Sequence, residues 1–354
     1  MWLDAAMPTR LERALEIAAG RTLVSADPAT VSWLTGHVAD IEWGPSQFSA
    51  PPIVVVDPDG RVRLVVSEDE ADGLDDGVEA VTFPGFAVED VDRRAQAIEL
   101  ARSLIGDGPA AAELWSLPAP LAERDFDDLG RGLQRARAVK DPDEIAGIRA
   151  AIAITDVGQA AARAAFAAGR SELELWHETR DAMETAAGAR TPVLCDLVTG
   201  SRTGDVGGLP STRRVEGDDL LLVDLGPRVG GFWGDSCATI AVGEPPAHVR
   251  EAYEAAYEAL EGAKALVRPG ASTAEIDAFV RRTLSYPHHT GHGIGRTTHE
   301  EPRIVPDADR TLDAGMVIAL EPGTYGDGWG VRVEQVVLVT ADGCEVLSGH
   351  DLSL

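Results

Sequence analysis

Cysteine is scarce: the 354 residues hold three, Cys195, Cys237 and Cys344. They are odd in number, far apart and without a CxxC pair, so neither a disulfide framework nor a zinc–thiolate site is supported. A reducing compartment follows. Basic residues are also few. Lys and Arg number 31 against 59 Asp and Glu, for a net charge of −28. Nucleic acid and anionic membrane surfaces both need a basic face, so neither is expected as a partner. The excess acid reads as a solvated surface. Long apolar runs are missing too, since no stretch approaches the roughly 18 apolar residues that a membrane helix needs. The start, MWLDAAMPTRLERALE, carries charges early and lacks an apolar h-region, so it does not read as a signal peptide. A soluble, cytoplasmic protein is expected.

What is present suffices for two domains and a sizeable core, with an ordinary apolar fraction of 44%. The first 135 or so residues read as a small α/β domain. Arg10–Ala19 has a short helical pattern. Thr22–Val24, Pro51–Asp57 and Arg61–Ser67 read as strands, the last two joined by the turn Pro58-Asp59-Gly60. Val91–Ile105 is helical in pattern. The boundary is expected between about 130 and 142, where Val139–Glu144 breaks the chain. Asp141 then suits an N-cap and Pro142 the first turn of a helix running to about Ala168.

The second part carries a repeat. Gly169-Arg170-Ser171-Glu172-Leu173-Glu174 and Gly270-Ala271-Ser272-Thr273-Ala274-Glu275 share the pattern Gly-x-Ser-x-x-Glu, 101 residues apart. Each is a helix stop followed by a capping box. Four acidic residues keep nearly the same offset: Asp224 to Glu321 is 97 residues and Asp235 to Glu334 is 99. Each pair sits on two apolar strand-like runs joined by a Gly-rich turn: Leu220–Leu225 with Phe232–Val242, and Val317–Glu321 with Val331–Thr340. Two helix–helix–hairpin units facing each other across a pseudo-twofold axis would bring four carboxylates to one centre. Strand alternation allows Asp224 and Glu334 to point inward between apolar neighbours.

Four of the eight histidines fall within twelve residues, in PHHTGHGIGRTTHEEP. Histidine is directional and metal-binding near neutral pH. Gly291 and Gly293 flank His292 as they would a ligand that backbone must approach closely. One imidazole and four carboxylates form a ligand set for a pair of divalent metals. Other readings stay open. Asp224 and Asp235 suit hairpin turns, Glu321 suits a strand end and Glu334 an exposed edge. His288, His289 and His299 suit orientation of ligands or a polar surface. Trp233 suits a site wall or the core, and Trp2, Trp33 and Trp43 suit packing. His37, His177, His248 and His350 are isolated.

Together VKDPDEIAGIRAA, VDLGPRVGGFWGDSCAT, HHTGHGIGRTTHEEP, IALEPGTY and GVRVEQVVLVTADGCEVL resemble the creatinase/aminopeptidase (M24, "pita-bread") metallopeptidase family. The resemblance covers the chain from about Lys140 onward, and DPATVSWLTGH resembles the start of the Xaa-Pro branch, which contains prolidase and aminopeptidase P. It implies an α/β (α+β) chain: a pseudo-twofold pita-bread catalytic domain, 136–354, after a smaller creatinase-like α/β domain, 1–135. It implies that Asp224, Asp235, His292, Glu321 and Glu334 hold two divalent metals, Mn or Co first, Zn or Fe otherwise. These would lower the pKa of a bridging water that attacks the scissile carbonyl. By the same resemblance Glu321 takes the water's proton, His299 donates to the substrate carbonyl, His288 lies near the substrate, and Arg332 orients a site carboxylate or the substrate. His289 stands where many relatives have glycine. A substrate-contacting histidine of the family would fall near Gly207, and this loop has none.

The function implied is a metal-dependent exopeptidase on small peptides, Xaa-Pro dipeptides above all, in a homodimer. A same-fold hydrolase or lyase of a non-peptide small molecule is the alternative. A non-catalytic binding protein is disfavoured because all five ligands are present.

Overall fold

The computed structural model describes residues 8–39, 49–85 and 92–354. Trp2, Trp43 and the expected helix start at Val91 lie outside them. The chain divides into two compact units, with Arg137 ending the first and Ala138 opening the second.

In the first unit, α1 (Arg10–Ala18) opens with a capping box between Thr9 and Glu12. Then come β1 (Thr22–Ser25), α2 (Pro28–Thr35), β2 (Ile53–Val56), β3 (Val62–Ser67), β4 (Val78–Phe83), α3 (Arg93–Ile105), β5 (Ala110–Ala112), β6 (Asp127–Asp128) and α4 (Gly130–Ala138). The six strands make one sheet in the order β4-β3-β2-β1-β5-β6. Side-chain alternation divides its core between two faces. Leu23, Val54, Val56 and Leu64 pack with Ala14, Ala18 and Trp33. Val24, Ile53, Val55 and Val65 pack with Ala97, Ala101 and Ile105. Trp33 is fully buried, a packing residue.

The second unit starts with α5 (Pro142–Ala165), where Glu144 Oε2 accepts from the Asp141 N–H at 3.1 Å. The helix stops three residues short of Ala168, since Phe166 is already extended. By length and composition α5 is long and apolar enough to cross a membrane. It is a core helix instead: it carries Arg149, Asp156 and Arg163, and buries Ile148, Ala151, Ile152 and Ala162. α6 (Glu172–Ala187) opens on a complete capping box of Ser171 with Glu174. β7 (Val193–Thr199), β8 (Leu220–Val229), β9 (Phe232–Trp233) and β10 (Ser236–Ala241) follow. The order of elements then recurs: α7 (Ala247–Leu266), α8 (Thr273–Val280), β11 (Gly291–Gly293), β12 (Glu300–Ile304), β13 (Val317–Leu320), β14 (Gly323–Gly326), β15 (Trp329–Arg332), β16 (Gln335–Val339) and β17 (Cys344–Val346). At α8 half of the second capping box forms. Ser272 accepts from the Glu275 N–H, while its own hydroxyl donates to Asp309.

β8 lies between β7 and β10, and β13 lies between β11 and β16 in a five-stranded sheet. Two runs expected as unbroken strands are interrupted, each beside an acidic residue. The first breaks at Gly234-Asp235. A Cβ on Gly234 would lie 2.3 Å from Thr155 Oγ1 and 2.7 Å from Ala151 O, so backbone alone fits against α5 there. The second breaks at Val333-Glu334, where the Glu334 N–H donates to Cys237 O at 2.9 Å. Arg332 and Thr239 add two further bonds between the hairpins, both 2.9 Å. These bonds join β10 to the β15–β16 junction at the point where the acids gather.

Candidate metal centre

Asp224 sits mid-strand on β8, opposite Cys237 of β10 and Asp196 of β7. His292 is the centre of the three-residue strand β11. Its flanking glycines are required sterically. A Cβ on Gly291 would lie 2.2 Å from Ala319 O, and one on Gly293 would lie 2.2 Å from Glu301 O. His292 Nδ1 lies 3.0 Å from Gly293 O. A proton on Nδ1 satisfies that carbonyl and leaves Nε2 as a bare lone pair, the tautomer a metal needs. Nε2 lies 3.6 Å from Asp235 Oδ2 and 3.4 Å from Glu321 Oε1. Burial pushes the imidazole down to about 4, so it stays neutral at neutral pH. Ligand atoms of Asp235, His292 and Glu334 all lie within 4.8 Å of one another.

The carboxylates are strained electrostatically. Burial pushes Asp224 up to about 6 despite the Arg332 guanidinium beside it. Burial, and then the neighbouring carboxylates, push Asp235 and Glu334 well above the usual range. Glu334 is 1% exposed, and its Oε2 has no hydrogen-bond partner among the described residues. Glu321 behaves differently. Burial raises it, but the 2.6 Å contact with His289 Nε2 and the nearby His292 outweigh this and bring it to about 2. A cluster of buried acids with an orphaned oxygen and a neutral imidazole is under-compensated by the protein alone. Divalent cations fit this donor set.

Arg332 is 4% exposed and acts as the hub behind the acids. Its guanidinium donates to Asp224 Oδ2 at 2.6 Å and to Val206 O at 2.8 Å, and lies 3.5 Å from Asp196. His288 does not line the cavity. Its ring nitrogens engage Tyr325 OH at 2.9 Å and His289 O at 2.8 Å, and Nδ1 lies 3.7 Å behind Glu321. His299 is exposed at the cavity, with its ring centroid 4.3 Å from that of His292. The loop bearing it is pinned from below. Glu300 Oε1 accepts from the Arg296 and Thr297 N–H groups, while Lys140 and Glu144 pair with Glu300 and Arg296. That is the physical content of the VKDPDE entry motif.

Trp233 packs in the core with Ile148, Ile152, Ile294 and Val317 and does not line the cavity. Its backbone N–H donates to Gly295 O at 2.9 Å, and its side chain packs against Ile148 and Ile152 of α5. Trp176 lines the cavity instead, with Leu173, Leu194, Leu209 and Pro210. The cavity is about 690 Å³ and opens onto Asp224, Asp235, His292, Glu321 and Glu334. Sequence reasoning missed Asp196, which also lines it. Its signal was the same as that of Asp224: one acid inside an apolar strand, VLCDLVT.

The profile of metallopeptidase family M24 matches residues 146–341. The probable dipeptidase PepE of Mycobacterium tuberculosis is 34% identical over 265 residues, covering 69% of each chain. The Xaa-Pro dipeptidase of Pyrococcus furiosus is 32% identical over 240 residues, 65% of this chain and 69% of that one. The crystal structure of dipeptidase PepE from Mycobacterium ulcerans matches with a TM-score of 0.80 at 27% identity, covering 98% of this chain and 96% of that one.

Proposed function

From the premise that this chain belongs to metallopeptidase family M24, we propose that it is an exopeptidase that hydrolyses small peptides, with Xaa-Pro dipeptides as its substrates. Asp224, Asp235, His292, Glu321 and Glu334 would hold two divalent cations, Mn or Co first, with Zn or Fe also suited to the donors. The observation that carries the reading is the orphaned, buried Glu334 oxygen within a cluster of carboxylates around a neutral imidazole. When bound, the cations polarise the scissile carbonyl and acidify the attacking water.

The chain's own groups supply the rest. Glu321, which lines the cavity beside His292, would accept the water's proton, as the family resemblance implies. His299, exposed at the cavity, donates to the carbonyl oxygen as charge develops. Arg332 fixes the Asp224 carboxylate, and His288 backs Glu321. Leu173, Trp176 and Leu209 offer an apolar wall to a prolyl ring or aliphatic side chain. A homodimer, by resemblance alone, in the cytoplasm, from the cysteine usage, completes the reading.

Asp235→Ala tests it. The variant should keep its fold by circular dichroism, lose bound metal and lose hydrolysis. Undiminished hydrolysis would refute the ligand assignment. The side-chain-free Gly207 favours a second reading, a hydrolase or lyase of a non-peptide small molecule. Metal binding without cleavage of any peptide would select it.

A further inference from the structure

The loop between β7 and β8 carries two residues in unusual surroundings, Val206 and Gly207. Val206 has φ 75°, a conformation that a β-branched residue adopts only under strain. Such strain persists where surrounding structure enforces it. Here Arg332 enforces it by donating to Val206 O at 2.8 Å. Buried Glu172 fixes the rest of the loop, accepting from the Thr199 N–H at 2.7 Å and the Ser211 N–H at 2.9 Å.

The next residue, Gly207, lies against Asp196. A Cβ on Gly207 would fall 2.1 Å from Asp196 Oδ2 and 2.6 Å from its Cγ. The carboxylate is not free to step aside, because Oδ1 accepts from the Gly208 N–H at 2.9 Å. Asp196 and any side chain at 207 therefore exclude each other. Asp196 is also opposite Asp224 across β7 and β8, so both carboxylates share one face. Like charges facing each other across a sheet are unfavourable. Arg332 offsets this, but its contact with Asp224 is closer, 2.6 Å against 3.5 Å. The Asp196 side chain keeps 38% exposure, toward the cavity it lines.

We propose that Asp196, seated against a side-chain-free Gly207, is a specificity-determining residue that receives the ammonium group of the substrate. The proposal rests on the exopeptidase reading for the identity of that substrate. Cations bound at the centre are matched by its own four carboxylates, whereas Asp196 stands beside them with its charge directed at the cavity.

The test uses metal-loaded wild-type protein, Asp196→Asn and Gly207→Ala. Asparagine keeps the acceptor for Gly208 and removes the charge. Three acyl-prolines separate the sources of an ammonium group: alanyl-proline carries it on the α-carbon, 6-aminohexanoyl-proline carries it at the far end of its acyl chain, where a lysine side chain would place it, and propanoyl-proline has none. Asp196→Asn should lower kcat/KM about ten- to a hundredfold for an ammonium-bearing substrate, mostly through KM, the size of one charge-assisted hydrogen bond. Propanoyl-proline should be unaffected, and Gly207→Ala should show the same selective loss. The substrate that loses activity identifies which ammonium is read. An equal effect on all three, or none, overturns the proposal. If wild-type protein cleaves none of them, the peptidase reading fails, and ligand-observed NMR with alaninamide and propanamide still decides the role of Asp196. A preference for the cation that Asp196→Asn abolishes upholds it. No preference in the wild type overturns it.

Discussion

Replacing Glu334 with glutamine should make the metal-free protein more stable and the metal-loaded protein less stable than wild type. Glu334 Oε2 is buried without a partner among the described residues, and its carboxyl is held well above the usual range by burial and by Asp235. An unsatisfied buried polar group costs about 1–3 kcal/mol. The glutamine amide has the same shape and can donate to the neighbouring Asp235. Chelated Glu334→Gln should therefore gain about 1–3 kcal/mol, at the lower end a rise in Tm of about 2–4 °C for a unit of this size. Wild type gains about 2.7 kcal/mol from cation at a hundred times its Kd, and the variant should gain little. The ranking of the two proteins inverts on adding metal. The pH dependence has a definite sign. Folded Glu334 holds its proton above the pH at which the unfolded chain releases it, so the folded state binds more protons and wild-type stability falls as pH rises. The advantage of chelated Glu334→Gln should grow from pH 5 to pH 8. Scanning calorimetry with EDTA and with Mn reads all of this. A chelated variant at or below wild-type stability would refute the claim that these acids are held against their own repulsion.

Lys140→Met removes the partner of Glu300 in an ion pair with side chains 2% and 5% exposed. It should lower stability by about 3–5 kcal/mol in chemical denaturation and reduce kcat/KM, because the His299 loop hangs from Glu300. Glu172→Ala removes the acceptor for the Thr199 and Ser211 N–H groups and the partner of Arg202. A loss of about 3 kcal/mol or more is expected, with faster hydrogen exchange across residues 199–211; unchanged exchange there would contradict its role in holding the loop.

The gathering of the candidate ligands was legible because its signals were redundant. Asp224, Asp235, Glu321 and Glu334 each had an ordinary alternative as a turn or edge residue. Their common offset and the glycines around His292 pointed to a single centre, and the fold brings all five together. The apolar strands of the first unit were legible for a simpler reason: Leu23 and Val24, or Val54 and Val55, alternate faces. α2 was not. Asp27, Pro28 and Gly36 punctuate it, but seven of its eight residues are buried, so no helical period marks it. The breaks at Gly234 and Val333 were hidden because they follow from contacts with α5 and with Cys237, partners distant in sequence. Trp233 faces the core rather than the cavity because it packs with Ile148, Ile152, Ile294 and Val317, partners distant in sequence that no local pattern encodes. Asp196 was readable as an acid in an apolar strand, but its counterpart in the repeat, 96 residues on, is the imidazole of His292 and not an acid, so the acidic pattern did not draw attention to it.

The most direct measurement is hydrolysis of Xaa-Pro dipeptides, longer Xaa-Pro peptides and non-proline peptides by the Mn-reconstituted protein, beside the same protein after chelation. The account predicts release of free proline from the dipeptides, abolished by chelation and restored by Mn. Two bound metals with no peptide cleaved, or cleavage that survives chelation, would contradict it.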